Sequence, residues 1–266
     1  MLRTRAPEAC EGVRGSFSYE RAVRAQKELS TRVVLRPPPE LAARVVIAVD
    51  AAYWGPREIY GVAVAIAMEW ERGVVGCKEA VGPVCVPYVP GLLAFREASL
   101  MGPAVRALRP YLANGLLLVD GHGIAHPRRF GIASHLGVTL SMPSIGVAKR
   151  LLYGRVEDCS LGRCIVAEGD VIGVELDSSG RPIYVSPGNM VDVASAAFLV
   201  KSMLRPGVLL PLPLQIADAI TKFERRRLAG TSPTTLDVKD CEGEVIELAQ
   251  EVIRKKEEGH AAASGP

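Results

Sequence analysis

The sequence has few aromatic residues and no long apolar run. Phe, Trp and Tyr make up 5% of its 266 residues, so the core that its 48% of hydrophobic residues can form is mainly aliphatic. No apolar run reaches the roughly 18 residues of a membrane-spanning helix. The N-terminus also lacks the apolar centre of a signal peptide. We therefore expect a globular, cytoplasmic protein that has no membrane partner.

The cysteines form no metal-site pattern. The 6 cysteines include no Cys-x-x-Cys pair, and the nearest couple, Cys159 and Cys164, has no second couple after it at zinc-site spacing. We expect reduced thiols, with Cys159 and Cys164 as the couple that would pair in an oxidising cell. The net charge of +3 and the pI of about 8.5 are too mild to indicate a nucleic-acid partner. The local placement of charge must decide that question.

The first elements of the chain predict an antiparallel sheet. A helix is predicted over 19–31, with Ser18 as its cap and Tyr19, Val23 and Gln26 on one face. Three β-like runs follow, and the links between them are short enough for hairpins. They therefore predict a meander of three strands, at 44–54, 59–68 and 73–86.

The pattern then changes to alternating helices and strands. A helix over 91–112, interrupted near Gly102-Pro103, leads to an apolar strand at 115–120. A helix at 128–138 and a strand at 143–149 follow, and this spacing predicts parallel pairing through a right-handed crossover. A meander followed by parallel strands is the order of a ribonuclease-H-like α/β fold with a mixed sheet; a doubly wound α/β domain is the alternative. Later elements are strands at 164–167, 171–176 and 182–186 and helices at 192–204 and 214–228.

The chain divides into three predicted segments. Residues 1–17 form a flexible arm, residues 18–230 the globular domain, and residues 231–266 a C-terminal extension. The extension is predicted to contain a polar hinge at 231–237, an amphipathic helix at 238–258 and a disordered tail. The apolar stripe of that helix comprises Val245, Leu248, Val252 and Ile253. We expect this helix to be an accessory to the domain.

Three acidic residues stand where separate elements of this fold would meet. Asp50 ends an apolar run on the first strand, Asp120 ends the fourth strand, and Glu97 lies near the start of the helix after the meander. Taken alone, Asp50 could be a cap or turn residue and Glu97 a solvated helix charge. Carboxylates crowded to ~4 Å repel by roughly 4 kcal/mol at an effective dielectric near 20, so a cation would be needed. An all-oxygen ligand set predicts Mg²⁺, with Mn²⁺ as a substitute.

Two basic residues are predicted beside this metal site. Lys149 follows the strand at 143–149, and if that strand is parallel to the strand ending in Asp120, both residues lie at one edge of the sheet. There Lys149 would stabilise charge on a phosphate, although an exposed lysine stem is the alternative. His126 is interpreted as a phosphate contact or proton carrier. Gly123 and Pro127 argue against a zinc pair of His126 with His122 on a helix.

A stiff loop carries an aromatic residue before the helix that contains Glu97. Tyr88 stands between Pro87 and Pro90, whose rings fix the backbone. It is either a packing residue or a rigid wedge that enters a base stack in place of an extruded nucleotide. A local basic patch that suits a phosphate backbone follows, formed by Arg128, Arg129, Lys149, Arg150 and Arg155.

Five stretches of the sequence resemble, in order, the motifs of the endonuclease V family. They are VIAVDAAYWG, PYVPGLLAFREA, LLLVDGHGIAHPRRFGIASHLGV, PSIGVAKRLLYG and YVSPGN, and the resemblance covers roughly residues 18–228. It implies a ribonuclease-H-like, Mg²⁺-dependent DNA repair nuclease that acts on deoxyinosine. Such an enzyme nicks the second phosphodiester 3′ to the lesion and leaves 3′-hydroxyl and 5′-phosphate ends. We expect a monomer.

The resemblance also implies roles for individual residues. Asp50, Glu97 and Asp120 match the metal-site carboxylates, Lys149 and His126 match further active-site positions, and Tyr88 matches the tip of the wedge. A set of six matches the lining of a hypoxanthine pocket: Gly91, Leu93, Gly121, Gly131, Ile132 and Ala148. Contacts with the DNA backbone are expected from Arg128, Arg129, Arg150 and Asn189.

One position departs from the family pattern, and two other functions remain open. Family members often carry histidine after Ser-Pro-Gly, where this chain has Asn189. An amide cannot relay a proton near neutral pH, so a positioning role is the one that survives. The first alternative function is cleavage of inosine-containing RNA, which a contact with the 2′-hydroxyl would decide. The second is a nucleic-acid binding module without catalysis, against which the intact carboxylates and lysine argue.

Overall fold

The described part of the chain is built around one ten-stranded mixed sheet. The structure, a computed structural model, describes Cys10, residues 17–38 and residues 44–263. Its first elements are α1 Tyr19–Ser30, β1 Val45–Trp54, β2 Tyr60–Glu69, β3 Gly73–Pro83, α2 Leu93–Ala107, the short α3 Arg109–Leu112, β4 Gly115–Asp120, α4 Ile132–Leu140 and β5 Ser144–Ala148.

The second part of the chain completes the sheet. Its elements are β6 Arg155–Cys159, β7 Gly162–Ala167, β8 Asp170–Ser178, β9 Arg181–Asn189, α5 Val193–Ser202, α6 Leu212–Leu228, β10 Asp237–Asp240 and α7 Gly243–Ala263. The strand order is β10-β3-β2-β1-β4-β5-β9-β8-β7-β6. The meander β1–β3 is antiparallel, and β4 pairs in parallel with β1 and with β5. This arrangement confirms the predicted ribonuclease-H-like α/β fold.

The central strands are covered by helices on both faces. Side chains alternate between the two faces of a strand. Val46 and Ala48 of β1 therefore join the core that contains α6 and α7, whereas Ile47 and Val49 join the core of α2 and α4. By the same alternation, Asp50 lies on the α6 side at the end of this run. Burial on both faces explains why these strands read as continuous apolar runs.

The main differences from the predicted elements concern α2, α4 and β6. Helix α2 continues through Pro103 and ends at Ala107, so the predicted interruption at Gly102-Pro103 is wrong. The break lies at Leu108. Pro110 has no backbone N–H to continue the hydrogen bonds of α2, and it starts the next helical turn instead. Helix α4 begins at Ile132, not at 128, since the residues before it form a turn. Strand β6 was not predicted, because its residues are polar and half exposed.

Helix α1 is capped by Ser18 as predicted, but Tyr19 is not among its buried residues. The Ser18 hydroxyl accepts a hydrogen bond from the Arg21 backbone N–H at 3.2 Å. The buried residues are Ala22 and Gln26, whereas Tyr19 is half exposed, so its predicted place on the buried face is wrong. The predicted arm at 1–17 lies outside the described residues except for Cys10 and Phe17.

The C-terminal extension is joined to the core at two places. Strand β10 pairs with β3, so residue 237 of the predicted hinge belongs to the sheet. Helix α7 buries Val245, Ala249 and Ile253 in the core of α6, whereas Leu248 and Val252 are each 41% exposed. The predicted stripe was therefore wrong at these two residues. The helix also runs to residue 263, through part of the predicted disordered tail. A domain boundary after Gly230 stays a prediction.

The prediction of reduced cysteines is wrong for this structure. All 6 cysteines lie in pairs: Cys10–Cys85, Cys77–Cys241 and Cys159–Cys164. The third pair is the couple predicted to form under oxidising conditions, and the other two join residues far apart in sequence. Sequence spacing cannot reveal such long-range pairs. Among the helices that the structure describes, none combines the length and apolar character needed to cross a bilayer.

Truncation of one buried residue of α7 tests whether the helix contributes to the stability of the whole domain. We expect Ile253→Ala to lower the free energy of unfolding by about 2–5 kcal/mol, since Ile253 is 4% exposed in the shared core. The matched control, Val252→Ala on the exposed side, should change it by less than about 0.5 kcal/mol. Denaturant unfolding followed by circular dichroism measures both. Equal stability of the two variants would show that α7 is an independent accessory.

Candidate functional site

Three aspartates meet where β4 ends beside the middle of β1. Asp50 and Asp120 lie on neighbouring parallel strands, whose pairing runs up to Val49 opposite Val119. Asp218 comes from α6, the helix that covers this face of the sheet. One carboxylate oxygen from each residue lies within 4.8 Å of the others. The sheet and α6 thus bring together three acidic groups that are up to 168 positions apart in sequence (from Asp50 to Asp218).

Burial makes the charge of Asp50 unfavourable. The residue is 7% exposed. Burial raises the pKa of Asp50 well above its usual value, and the charges of Asp120 and Asp218 raise it further. A buried carboxyl group beside two carboxylates therefore stays ionised only where a cation compensates its charge.

Lys149 supplies part of that compensation. It follows β5, and its ammonium group lies 2.6 Å from Asp120 Oδ2 and 3.0 Å from Asp218 Oδ1. Burial alone would lower the pKa of Lys149, but the carboxylates, Asp120 first, outweigh burial and raise it. Lys149 is therefore a permanent cation at the edge of the sheet.

Asp218 is held by a second lysine on its own helix. Lys222 Nζ lies 2.6 Å from Asp218 Oδ2, one helical turn further along α6. Burial alone would raise the pKa of Asp218, but the hydrogen bond from Lys222 and the charge of Lys149 outweigh it and lower the pKa. Asp218 is thus an ionised carboxylate although it is 3% exposed.

Asp218 is not among the residues predicted from the sequence, and Glu97 stands apart from the observed group. In the described residues, the acidic group close enough to share one ion is Asp50, Asp120 and Asp218. Glu97 lies on α2, which packs on the other face of the sheet. Burial raises the pKa of Glu97 to about 8, and the Asp120 charge adds to this effect.

The ligand chemistry of this group fits a hard divalent cation. All three donors are carboxylate oxygens, and the buried Asp50 gains from any positive charge placed beside it. Mg²⁺ and Mn²⁺ prefer such oxygen ligands and keep positions open for water and phosphate. Asp50, Asp120 and Asp218 are therefore the residues that could hold the ion, with Lys149 as an additional positive charge at the same edge.

A second network joins the loop after β3 to the turn before α4. The backbone oxygen of Gly91 accepts hydrogen bonds from Gln26 Nε2 at 3.1 Å and from the Arg128 guanidinium. Gln26 also donates to the Phe130 oxygen at 3.2 Å and accepts from Arg128 Nε at 2.6 Å. Gln26 is fully buried, so its amide links α1 to both loops.

His126 belongs to this network. Its Nε2 lies 3.1 Å from the Gly91 oxygen, and its Nδ1 accepts from the Arg128 backbone N–H at 3.2 Å. Burial, followed by the charge of Arg128, lowers the pKa of His126 to about 4, so the ring is neutral at pH 7. Both ring nitrogens are engaged, and the structure gives His126 a role in shaping the loop. Its predicted part in proton transfer stays a prediction.

Tyr88 stands out from the fold on a firmly held loop. Its side chain is 63% exposed, which excludes the alternative of a packing residue. Arg96, which is buried in α2, donates to the Val86 oxygen at 3.1 Å and stacks over Tyr53 at 4.6 Å. The base of the loop is thus anchored while its tip faces solvent. Such a tip can reach a partner without prior rearrangement of the loop.

Part of the predicted hypoxanthine pocket is assembled at the start of α4. A Cβ on Gly121 would lie 2.4 Å from Ile132 Cγ2, and one on Gly131 would lie 2.3 Å from the His122 oxygen. These two glycines therefore allow a contact that no other residue permits. The remaining predicted residues are Gly91 on the loop after β3, Leu93 at the start of α2, and Ala148 at the end of β5.

The predicted backbone contacts divide into two groups. Arg150 is exposed next to Lys149 and is available to a phosphate. Arg128 is engaged in the loop network, and Arg129 pairs with Asp170 at 3.2 Å and with Glu168 at 3.5 Å.

Asn189 is the residue for which the predicted DNA contact does not fit. It is 2% exposed; its oxygen accepts from the Val34 N–H at 3.1 Å, and its amide donates to Gly137 and Met142. Because the side chain is buried and fully engaged, a backbone contact is incompatible with its position. The positioning role is the one that this geometry supports.

The known proteins that resemble this chain include members of the endonuclease V family. The family model for endonuclease V matches residues 27–219. Endonuclease V of Aeropyrum pernix is 42% identical over 221 residues, covering 83% of this chain and 85% of that protein. The crystal structure of endonuclease V from Streptomyces avermitilis has a TM-score of 0.69 and 36% identity, and the alignment covers 79% of this chain and 94% of that one.

A more distant structure shares the fold. It is endonuclease V of Ciona intestinalis in complex with a 24mer DNA containing an inosine followed by a ribo-adenosine. Its TM-score is 0.65 at 23% identity, with 77% of this chain and 96% of that chain covered. At this identity the likeness shows a common fold alone.

The mixed sheet, its acidic edge and these likenesses define a nuclease with a ribonuclease-H-like fold. Within that class, the chain belongs to the endonuclease V family.

Loss of one carboxylate tests the proposed ligand set directly. We expect Asp218→Asn to weaken Mn²⁺ binding at least tenfold, since even loss of an outer partner of a ligand costs roughly 10- to 100-fold. Calorimetric titration with Mn²⁺ measures this without any substrate. The control is Asp170→Asn, which removes an exposed carboxylate that pairs with Arg129. Unchanged affinity in Asp218→Asn would exclude this residue from the ligand set.

Proposed function

We propose that this protein is an endonuclease that recognises deoxyinosine in DNA and hydrolyses the second phosphodiester bond 3′ to it. The reaction depends on Mg²⁺ and leaves 3′-hydroxyl and 5′-phosphate ends. The observation that carries the proposal is the group of Asp50, Asp120 and Asp218 beside Lys149 in a chain of the endonuclease V family. This arrangement suits a hydrolysis that proceeds without a covalent enzyme intermediate.

The residues of the site have separate tasks in this proposal. Asp50, Asp120 and Asp218 hold the divalent ion, and Glu97 adds a carboxylate from the other face of the sheet. When bound, the ion supplies a nucleophilic water and neutralises charge on the phosphate. Lys149 presents its ammonium group at the same edge, where charge builds up on the phosphate in the transition state. Arg150 adds an exposed cation for the adjoining backbone.

The exposed tyrosine gives access to the lesion. A base inside a duplex must leave the stack before a pocket can read it, and this costs a few kcal/mol. Tyr88 on its anchored loop enters the gap in the stack. The extruded base then lies against the glycine-rich turns at Gly121 and Gly131, where backbone groups can approach its edge closely.

The test of this proposal compares four substrates in parallel. Strands of DNA and of RNA, each with or without inosine and labelled at the 5′ end, are incubated with Mg²⁺ or with EDTA. We expect nicking of the inosine-containing DNA in Mg²⁺, with the product ending at the second bond 3′ to the lesion. Preference for the inosine-containing RNA would assign the alternative substrate. Binding without nicking of any strand would support the non-catalytic module.

Removal of one charge in the acidic group tests the catalytic role of the site. We expect Asp120→Asn to lower the nicking rate by orders of magnitude while binding of inosine-containing DNA is largely kept. The physical reason is that phosphate and base contacts supply most of the affinity. Single-turnover nicking and fluorescence anisotropy measure the two quantities. Near-normal nicking in Mg²⁺ would refute the metal site.

Truncation of the tyrosine distinguishes a wedge from an ordinary surface residue. A stacked aromatic contributes roughly 1–3 kcal/mol, so Tyr88→Ala should weaken binding of duplex inosine DNA by about tenfold to a hundredfold. The loss on a single strand should be smaller, because no stack has to be opened. Tyr88→Phe, which keeps the ring, is the matched control. Equal losses of Tyr88→Ala on single and double strands would exclude the wedge.

A further inference from the structure

A groove between α6 and α7 begins at the acidic site. It has a volume of about 290 Å³, and Asp218 is part of its lining. From Asp218 the α6 wall continues through Lys222 and Arg226, which lie on one side of the helix at intervals of four residues. This row of charged residues extends about 12 Å along the helix axis, at about 1.5 Å per residue. The groove therefore leads away from the place where a scissile phosphate would be held.

The groove has the charge of a polyanion site. Three cations line it, Lys222 and Arg226 from α6 and Lys256 from α7. Its one acidic residue, Asp218, is already paired with Lys149 and Lys222. Within the described residues, neither Arg226 nor Lys256 takes part in an ion pair. The acidic side chains of α7 lie outside this lining, and two of them pair with neighbours on their own helix.

The opposite wall offers an apolar surface. Leu248 and Val252 of α7 line the groove, and each is 41% exposed. Phe223 of α6 adds an aromatic ring to the same surface. Cations that contact phosphates, combined with apolar and aromatic groups for the bases, are the usual features of a single-strand binding site.

The two faces of the sheet fix which part of the strand enters the groove. The predicted base pocket contains Ile132, which belongs to the core of α2 and α4, whereas the groove lies between helices of the other core. The carboxylates stand at the sheet edge between these two places. For a strand whose lesion is in the pocket and whose scissile phosphate is at the carboxylates, the groove that begins at Asp218 offers a continuation on the far side.

We propose that the α6–α7 groove binds the single-stranded sugar–phosphate backbone on the 3′ side of the scissile bond. This inference rests on the proposed function, because the place of the scissile phosphate determines the direction of the strand. The family model ends at residue 219, before Lys222 and all of α7. Arg226, Lys222 and the α7 wall of the groove therefore lie beyond the part of the chain that the family model matches.

Neutralisation of the two unpaired cations tests the groove. Arg226→Gln/Lys256→Gln is compared with wild type on labelled inosine strands that differ in their 3′ arm. One arm ends just beyond the scissile bond and the other continues past it. Binding is measured in EDTA by fluorescence anisotropy at several salt concentrations. The control is Arg254→Gln/Lys255→Gln, which removes two cations of α7 that do not line the groove.

We expect the double variant to bind the strand with the long 3′ arm about 10- to 30-fold more weakly at ~0.1 M salt. The slope of the logarithm of its binding constant against the logarithm of salt concentration should become shallower by about 1.4. Each phosphate contact on a single strand contributes about 0.7 to this slope, and the variant loses two such contacts. Binding of the strand with the short 3′ arm should be unchanged, and the control should match wild type on both. A second variant, Val252→Glu, keeps the cations but places an anion in the groove, and it should weaken binding of the long arm alone.

Two outcomes would overturn the groove as a strand site. One is full retention of the advantage of the long 3′ arm by the double variant. The other is an equal loss on both strands. A wild-type dimer that the double variant disrupts, with strand binding unchanged, would assign the groove to a second copy of the chain.

Failure of the proposed function gives a different result. In that case wild type would not prefer inosine strands over undamaged strands of the same length. Binding of the undamaged strands would then test the groove. Weaker binding by the double variant, with no change in the control variant, would support a strand site in the groove. Equal binding by the two variants would refute it.

Discussion

The mutual repulsion of three aspartates at one sheet edge is the constraint on which the site depends. Carboxylates at ~4 Å repel by roughly 4 kcal/mol per pair when the effective dielectric is near 20. Lys149 lies between Asp120 and Asp218, and Lys222 holds Asp218 from the other side. Among the ion pairs of the described residues none includes Asp50, whose pKa is raised by burial and by its acidic neighbours and lowered only in part by the charge of Lys149. The molecule thus carries an unfavourable charge that a bound cation would stabilise.

The two faces of the sheet carry different groups of the site. Even-numbered positions of β1 and β4 face α6, so Asp50 and Asp120 meet Asp218 there. The opposite face carries α2 and α4, with Glu97, the glycine-rich turns and the loop that holds Tyr88. Gln26 and Arg128 hold that loop through the Gly91 oxygen. In the proposed function, the metal and the base would therefore lie on different faces of the sheet.

The sequence predicts the residues of this site only where their local pattern is unusual. Asp50 and Asp120 end long apolar runs, and such a change from apolar to acidic residues marks the edge of a central sheet. Asp218 lacks this signal: it is one acidic residue among others on an amphipathic helix, and only tertiary packing brings it to Asp120. Gln215 and Thr221 lie near Asp218 in the sequence of α6, and the structure shows that both are buried. Polar residues at these positions were the one indication that the inner face of α6 is not simply apolar.

The same reasoning explains the other differences. His126 was assigned a chemical role from its residue type, yet its Nε2 is hydrogen-bonded to the Gly91 oxygen, which lies far away in sequence. The pairs Cys10–Cys85 and Cys77–Cys241 likewise join distant segments. The order of strands, by contrast, follows from local periodicity and short links, so the meander and the parallel strands were predicted correctly.

The two outer strands of the described sheet have a consequence for the behaviour of the protein in concentrated solution. An open strand edge is a template for pairing with another molecule, and long, flat apolar edges promote aggregation. Here one edge is β10, four residues long with Asp237, Lys239 and Asp240, and the other is β6 with Arg155, Glu157 and Asp158. Both edges are short and carry charges of either sign. A second molecule that docked edge to edge would have to desolvate these charges, so the large sheet is protected against growth into fibrous assemblies.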